Sequence, residues 1–271
     1  MSKIGTLRDL VFNLLQEHAD DGALPTSARF LFYELVQRGQ LSKQQTGKRR
    51  ADQDLHDALT DLREDGRVPW NWIVDETRSL DDYSGYPSIK LGVSVMLENI
   101  ALDPWKPKRP PMVLTESRSL AGVLRPTARN YACRIAATNG QCGGFLRTDI
   151  APRLQPGDYV LYLGDLDLAG GQIETNTRRV LEQEVGGPLR WERVALTAQQ
   201  VSEHKLPTIV KRDNRYRDGH PHEAVETEAL RQLVLIELLG GRLDELLPQP
   251  LSRVQERARR QRRAVARLLN S

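Results

Sequence analysis

Three acidic residues in the second half of the sequence stand directly after apolar segments. Glu116 follows residues 112–115, and Asp165 and Asp167 follow residues 159–164. Because the two aspartates lie two positions apart, they project to the same side of an extended chain. Carboxylates that meet at one edge repel one another unless a cation lies among them, and Mg²⁺ prefers oxygen ligands. The three residues are therefore candidate ligands of Mg²⁺, or of Mn²⁺, in a site suited to phosphoryl transfer. The alternative is that both aspartates are helix N-terminal acids facing solvent.

Alternating strands and helices must position these acids. After residue 112 the pattern predicts strands at 112–115, 134–138, 159–163 and 190–196, and helices at 120–133, 145–153, 172–185 and 198–204. Repeated strand and helix units of this length predict an α/β fold with a mostly parallel sheet flanked by helices. In such a sheet the functional groups gather beyond the carboxyl ends of the strands, which is where the three acids would meet.

The first hundred residues show a different pattern, with three helices and then a short β-prone segment. We predict a first helix at 5–18, a second that is capped by Thr26 or Ser27 and ends at Gly39, and a third at 47–64. A strand or wing should follow at 68–74. This order is typical of a winged helix, whose third helix would present Lys48, Arg49 and Arg50 to DNA. The alternative is an ordinary three-helix bundle with a solvated basic turn.

Prolines divide the chain. Four prolines lie between Asp103 and Met112, where they exclude a helix or a central strand, and we predict a linker at 104–111. The linker would separate an N-terminal domain, residues 1–103, from an α/β domain, residues 112–250. Residues 251–271 form an arginine-rich end with seven arginines and one acid, which suits either contact with a polyanion or a solvated amphipathic helix.

Composition excludes several classes of protein. With 271 residues, 39% hydrophobic and 28% charged, the chain is neither collagen-like, coiled-coil nor wholly disordered. It has no run of about 18 apolar residues, and its N-terminus is polar, so we expect neither a membrane span nor a secretory signal. Its two cysteines, Cys133 and Cys142, form neither a disulfide framework nor a zinc motif, and we expect a reducing cytoplasm.

The order of the parts resembles a known family. A strand ending in Glu116, followed by a strand ending in Gly-Asp-x-Asp-x-x-Gly at 164–170, resembles the Toprim fold shared by topoisomerases, primases and some nucleases. Residues 29–33, Arg-Phe-Leu-Phe-Tyr, resemble the Arg-x-x-aromatic-Tyr motif of the topoisomerase VI A subunit and its meiotic double-strand-break relatives. The segments at 195–197, 206–207, 211–217 and 225–230 are also similar to those that follow the Toprim core in that family.

The resemblance implies a winged-helix domain followed by a Toprim domain, and a DNA-cleaving enzyme that works through a tyrosyl phosphodiester. Tyr33 would be the nucleophile, and Glu116, Asp165 and Asp167 would hold Mg²⁺. The implied partners are double-stranded DNA and a second copy of the chain, whose metal site would serve this copy's tyrosine. The implied location is the nucleoid, and DNA contacts would also come from the basic stretch: Lys211, Arg212 and Arg215.

The chain also departs from that family's pattern. It is shorter than a full A subunit and contains nothing that resembles the ATPase subunit, so an ATPase partner would be a separate chain. It looks closer to the compact, stand-alone Mini-A proteins. Two other hypotheses stay open: a Toprim nuclease that activates water while Tyr33 is structural, and a DNA-binding module without a metal.

Tyr33 and Arg29 can be interpreted from their helix alone. Tyr33 lies beside Phe32 and Val36, where a tyrosine is commonly a core residue. As a nucleophile, a phenol with a pKa near ~10 needs a nearby cation or base. Arg29 lies four residues earlier on the same helix face, so it would either supply that positive potential or extend into solvent.

Overall fold

The computed structural model describes residues 3–43, 52–74, 82, 84–140, 142–211 and 222–270. Five of the predicted DNA contacts lie outside these residues: Lys48, Arg49, Arg50, Arg212 and Arg215. The sixth, Lys211, ends a short strand, and only its backbone is described.

Three helices open the chain, as the sequence predicts. They are α1 (Lys3–Asp20), α2 (Ala28–Gln37) and α3 (Gln53–Glu64). The Ser27 side chain caps α2 by accepting a hydrogen bond from the amide of Phe30, and the chain leaves α2 through Gly39, whose φ is +69°. Leucines of all three helices pack into one buried cluster: Leu14, Leu15, Leu31, Leu35, Leu55, Leu59 and Leu62.

The segment at 68–74 is not the predicted strand. Trp70–Trp72 forms a 3₁₀ helix, closed by a hydrogen bond from the amide of Trp72 to the carbonyl of Pro69. Proline has no amide to donate to a ladder, which favours this turn over a wing. Ile73 makes only an isolated bridge to Thr26, and no β-ladder forms within residues 3–43 and 52–74. The winged-helix interpretation is therefore not confirmed.

The α/β prediction is confirmed by a parallel sheet of four strands in the order β2-β1-β3-β4. The strands are β1 (Met112–Thr115), β2 (Arg134–Ala137), β3 (Tyr159–Leu163) and β4 (Arg190–Ala195). The bounds of β1 and β3 are those predicted, because both strands are short runs of apolar residues that are almost fully buried. Two further strands, β5 (Ile209–Lys211) and β6 (His222–Ala224), form a separate antiparallel pair.

Helices cover both faces of the sheet. The further helices are α4 (Ile89–Asn99), α5 (Arg118–Asn130), α6 (Gly143–Phe145), α7 (Leu168–Val185), α8 (Ala198–Glu203), α9 (Gln232–Leu246) and α10 (Leu251–Asn270). Leu161 and Leu163 of β3 point into the core with α5 and α9, whereas Val160 and Tyr162 point into the core with α7. The helix predicted at 145–153 is a π-helical turn at Leu146–Ile150 followed by a 3₁₀ turn at Ala151–Arg153.

The N-terminal helices and the α/β region share a core. Phe30 and Tyr33 of α2 are buried in the same cluster as Val113 of β1 and Leu120 of α5. The side chain of Gln232 donates hydrogen bonds to the carbonyls of residues 23 and 25, at 2.6 and 2.9 Å. These contacts fix α2 relative to the sheet.

The segment predicted as a linker, residues 104–111, packs against the α/β region. Trp105 is 1% exposed, and its indole donates a 2.6 Å hydrogen bond to the carbonyl of Tyr131. Arg109 forms an ion pair with Asp158, with Nε 2.9 Å from Oδ1. Prolines thus end regular structure here while the segment stays in contact with the body of the protein.

The arginine-rich end is the helix α10. Val254 and Ala258 are buried as an amphipathic helix requires, whereas Val265 and Leu268 are 39% and 75% exposed. The side chain of Arg262 in α10 donates a 2.8 Å hydrogen bond to the carbonyl of Glu98 in α4. Among the described residues, no helix is both long enough and apolar enough to span a membrane.

Candidate active site

Glu116 and Asp165 meet at the carboxyl ends of β1 and β3. The two strands are adjacent and parallel, and Oε2 of Glu116 accepts a 2.9 Å hydrogen bond from the amide of Asp165. Gly170, in the first turn of α7, leaves the room for this contact. A Cβ at Gly170 would lie 3.1 Å from Oε2 of Glu116 and 2.5 Å from the carbonyl oxygen of Asp165. The acids predicted to meet at this edge of the sheet therefore do so for Glu116 and Asp165.

A distant segment orients the Asp165 carboxylate. Oδ1 of Asp165 accepts hydrogen bonds from the amide of Thr227, at 2.8 Å, and from its hydroxyl, at 3.0 Å. Leu166 and Val225 form an antiparallel bridge that holds the two segments side by side. Since Thr227 is 1% exposed, Asp165 is fixed from a part of the chain 62 residues away.

Asp167 has a structural role as well as its charge. It caps α7, with Oδ1 accepting a 2.7 Å hydrogen bond from the amide of Gly170. This is the helix N-terminal role that the sequence offered as the alternative. Burial is the main cause of the raised pKa of Glu116, and the negative charge of Asp167 adds to it.

The site is electrostatically strained by its own acids. Burial, and next the charge of Asp165, raise the pKa of Glu116 to about 7. Burial also raises the pKa of Asp165, with the carboxylate of Glu228 as the next cause. Groups whose ionised form is this disfavoured are typical of functional sites, because a bound cation or a proton would relieve the repulsion.

Two acids that the sequence did not assign to the site, Glu226 and Glu228, connect it to helix α2. Arg29 lies 2.9 Å from Glu226, between Nη2 and Oε2, and 3.2 Å from Glu228, between Nε and Oε1. The same Oε1 of Glu228 accepts hydrogen bonds from the hydroxyls of Ser117 and Ser119, at 2.7 and 2.9 Å. Burial opposes the charge of Arg29, yet the neighbouring acids raise its pKa. Arg29 is therefore ion-paired with two acids of the site, although 41% of its side chain is exposed to solvent.

Tyr33 lies on the same helix, beside a cavity of about 540 Å³. Tyr33 is 5% exposed, and its ring packs edge to face against that of Phe32, with 5.7 Å between the ring centroids. Nζ of Lys43 lies 4.2 Å from the centroid of the Tyr33 ring. Five charged side chains also line the cavity, three of them cationic and two acidic: Arg29, Lys43, Arg118, Asp52 and Glu226. Tyr33 is thus a core residue and also lines a cavity that contains both cationic and acidic side chains.

The acid pair fits a divalent cation that is held by few protein ligands. Across the described part of the chain, no group of three or more His, Cys, Asp and Glu residues has the geometry to hold a metal ion together. The reason is visible, because one oxygen of Asp165 is turned to Thr227 and one of Asp167 to Gly170. Mg²⁺ commonly binds through one or two carboxylates and several waters, and each carboxylate has a second oxygen. Glu116 and Asp165 meet that requirement.

Comparisons of this chain with protein-family models, with curated proteins and with solved structures give no match. The geometry of the site therefore carries the functional assignment.

Proposed function

We propose that the protein cleaves double-stranded DNA through a tyrosyl phosphodiester, in the manner of topoisomerase VI A-like enzymes. The observation that carries this proposal is that Tyr33 shares a cavity with cationic side chains. Tyr33 and Arg29 line one cavity, and Arg29 is paired with Glu228, whose charge reaches Asp165. A candidate nucleophile and cations therefore line one cavity, and Arg29 pairs there with an acid whose charge acts on Asp165.

In this proposal the hydroxyl of Tyr33 attacks a backbone phosphorus atom. A bond forms between the phenol oxygen and phosphorus, the bond from phosphorus to the 3′ oxygen breaks, and the tyrosine becomes joined to the 5′ phosphate. The phenol gives up its proton to solvent and the 3′ oxygen takes one up. Arg29, Lys43 and Arg118 line the cavity and would stabilise the negative charge of the phosphate.

Glu116 and Asp165, with Asp167 beside them, would hold Mg²⁺, or Mn²⁺ in its place. The ion would supply positive charge to phosphate oxygens at the scissile group. The chain's own part is to keep these carboxylates in place. Thr227 holds Asp165, and the amide of Asp165 holds Glu116. Gly170 keeps the space between them open.

DNA would be bound largely through its phosphates. The described basic surface is the exposed face of α10, which carries arginines opposite the buried Val254 and Ala258. The resemblance adds Lys48, Arg49, Arg50, Lys211, Arg212 and Arg215, a winged helix and a Toprim domain. It also adds a homodimer, association with the nucleoid and a separate ATPase partner. In a homodimer each tyrosine would work beside the partner's acid pair.

The direct test is Tyr33→Phe in a plasmid cleavage assay with Mg²⁺. We expect normal folding and DNA binding but no cleavage, because only the nucleophilic oxygen is removed. Tyr131→Phe is the matched control, since Tyr131 is 7% exposed and belongs to the same core cluster. It directly follows the C-terminal end of α5, whereas the cavity is lined by Arg118 at the N-terminal end of that helix. Cleavage by Tyr33→Phe at the wild-type rate would refute the tyrosyl mechanism.

The burial of Tyr33 favours a second candidate function. A tyrosine that is 5% exposed and packed against Phe32 suits a structural role, in which case the acid pair would serve a nuclease that activates water. This candidate predicts that Tyr33→Phe still cleaves and that Glu116→Gln does not. A wild type that binds DNA but shows neither cleavage nor cation binding would instead support the DNA-binding module.

A further inference from the structure

The hydroxyl of Tyr162 is a buried polar group without a hydrogen-bond partner among the described residues. Tyr162 lies in the central strand β3 and is 0% exposed. Buried hydroxyls are nearly always hydrogen-bonded, and a phenol is a good donor, so its orientation calls for an acceptor that the described residues do not supply.

The hydroxyl lies next to the acid pair. Leu114 of β1 is paired with Tyr162 of β3, and Glu116 follows two positions later, so strand alternation places Glu116 on the face to which Tyr162 points. At the end of β3, a Cβ on Gly164 would lie only 2.8 Å from the Tyr162 hydroxyl oxygen. Gly164 immediately precedes Asp165, so the hydroxyl stands at the base of the loop that carries this acid.

The ring of Tyr162 is held in place on two sides. The ring of Trp191 lies 5.6 Å away between centroids, and the guanidinium of Arg193 lies 5.3 Å from the ring centroid. Arg193 is fixed in turn, because it donates 2.9 and 3.0 Å hydrogen bonds to the carbonyls of Gly164 and Leu196 and pairs with Glu174 at 2.6 Å. The ring is therefore held with its hydroxyl at the base of the Asp165 loop, where an acceptor that enters the site would meet it.

Electrostatics keep this group a donor. Burial, and next the charge of Glu116, raise the pKa of Tyr162, so the phenol stays protonated at neutral pH. The influence of Glu116 on the phenol agrees with the placement given by the strand register.

We propose that Tyr162 is a positioning residue of the acid site, whose hydroxyl donates a hydrogen bond to an oxygen ligand of a divalent cation held by Glu116 and Asp165. This inference rests on the cation of the proposed function but not on the tyrosyl chemistry of Tyr33. Donors of this kind orient the oxygen ligands of metal ions, and removing one typically weakens metal binding 10- to 100-fold.

The test is calorimetric titration of Tyr162→Phe with MnCl₂ and with MgCl₂ in the absence of DNA. We expect the affinity to fall about 10- to 100-fold while the melting temperature is unchanged or raised, because an unpaired buried hydroxyl is removed. Tyr159→Phe is the matched control. Tyr159 is on the same strand, and its hydroxyl accepts a 3.3 Å hydrogen bond from Arg190. This variant should bind both cations as the wild type does.

Three results would overturn the proposal. Equal cation affinities of Tyr162→Phe and the wild type would overturn it alone and leave the metal site intact. A lower melting temperature with unchanged affinity would show that the hydroxyl bonds within the protein. A wild type that binds neither cation would overturn the proposal together with the metal part of the proposed function, whereas the tyrosyl adduct would still be testable.

Discussion

Replacing Glu116 with glutamine should make the protein more stable above neutral pH, although it removes a residue of the candidate site. Burial and the charge of Asp165 raise the pKa of Glu116 from its ordinary value of 4.5 to about 7. Between these pH values the folded protein keeps a proton that the unfolded chain has released. The free energy of unfolding therefore falls as the pH rises through this window, because the folded state binds more protons.

The size of the effect follows from the pKa. At 1.36 kcal/mol per pH unit, a rise from 4.5 to about 7 corresponds to about 3 kcal/mol, lost in full above pH 7. Glutamine carries no charge and can still accept the hydrogen bond from the amide of Asp165. Because solvent screens part of the repulsion at this half-buried group, we expect Glu116→Gln to gain about 1–3 kcal/mol at pH 8 and almost nothing at pH 4.5.

The assay is urea denaturation of both proteins at pH 4.5 and pH 8, with EDTA present. Glu256→Gln serves as the control, because the Glu256 side chain is 66% exposed on α10 and its loss should change stability by less than about 0.5 kcal/mol at either pH. Adding Mg²⁺ at pH 8 should stabilise the wild type and leave Glu116→Gln unaffected. No gain at pH 8, or the same gain at both pH values, would refute the electrostatic strain that we assign to the acid pair.

Three further changes test other parts of the site. Gly170→Ala should destabilise the protein and weaken Mn²⁺ binding in calorimetry, whereas Gly171→Ala, which meets nothing within 4 Å, should stabilise α7 by about 0.5–1 kcal/mol; equal effects would contradict the close approach. Arg29→Gln should lower the free energy of unfolding in urea denaturation by about 1–3 kcal/mol, because it leaves the buried acid Glu228 uncompensated. In a Glu228→Gln background the same substitution should have little effect, and additive losses would argue against the ion pair. Replacing two exposed arginines of α10, Arg259 and Arg263, with glutamine should reduce the log–log slope of DNA affinity against salt concentration by about 2. An unchanged slope would show that α10 does not contact DNA.

Sequence patterns predicted the sheet well because its central strands depend on local properties. β1 and β3 are apolar runs bounded by polar residues, and their order along the chain places Glu116 and Asp165 at one edge of a parallel sheet. The contact between them, a 2.9 Å hydrogen bond, follows from that register. The cap at Ser27 and the stop at Gly39 were equally local signals.

Other features depend on contacts between distant parts of the chain. Thr227 and Asp165 are hydrogen-bonded although they lie 62 residues apart in the sequence, and the ion-paired Arg29 and Glu226 lie 197 residues apart. Local sequence spacing therefore predicts neither contact. The segment at 68–74 has β-prone residues, but Pro69 removes an amide and a 3₁₀ turn forms instead. Helix α4 was not predicted, because its apolar residues form no single stripe and several stay exposed, among them Ile89 at 86%.

The most direct measurement of the central claim is the identity of the residue that becomes joined to DNA. The wild-type protein is incubated with end-labelled duplex DNA and Mg²⁺ and denatured rapidly, and the DNA is then digested with nuclease. Mass spectrometry of the tryptic peptides locates any remaining nucleotide. We expect a nucleotide joined through its 5′ phosphate to the peptide that contains Tyr33. Cleaved DNA with no protein attached, or a nucleotide on any other residue, would contradict the tyrosyl mechanism.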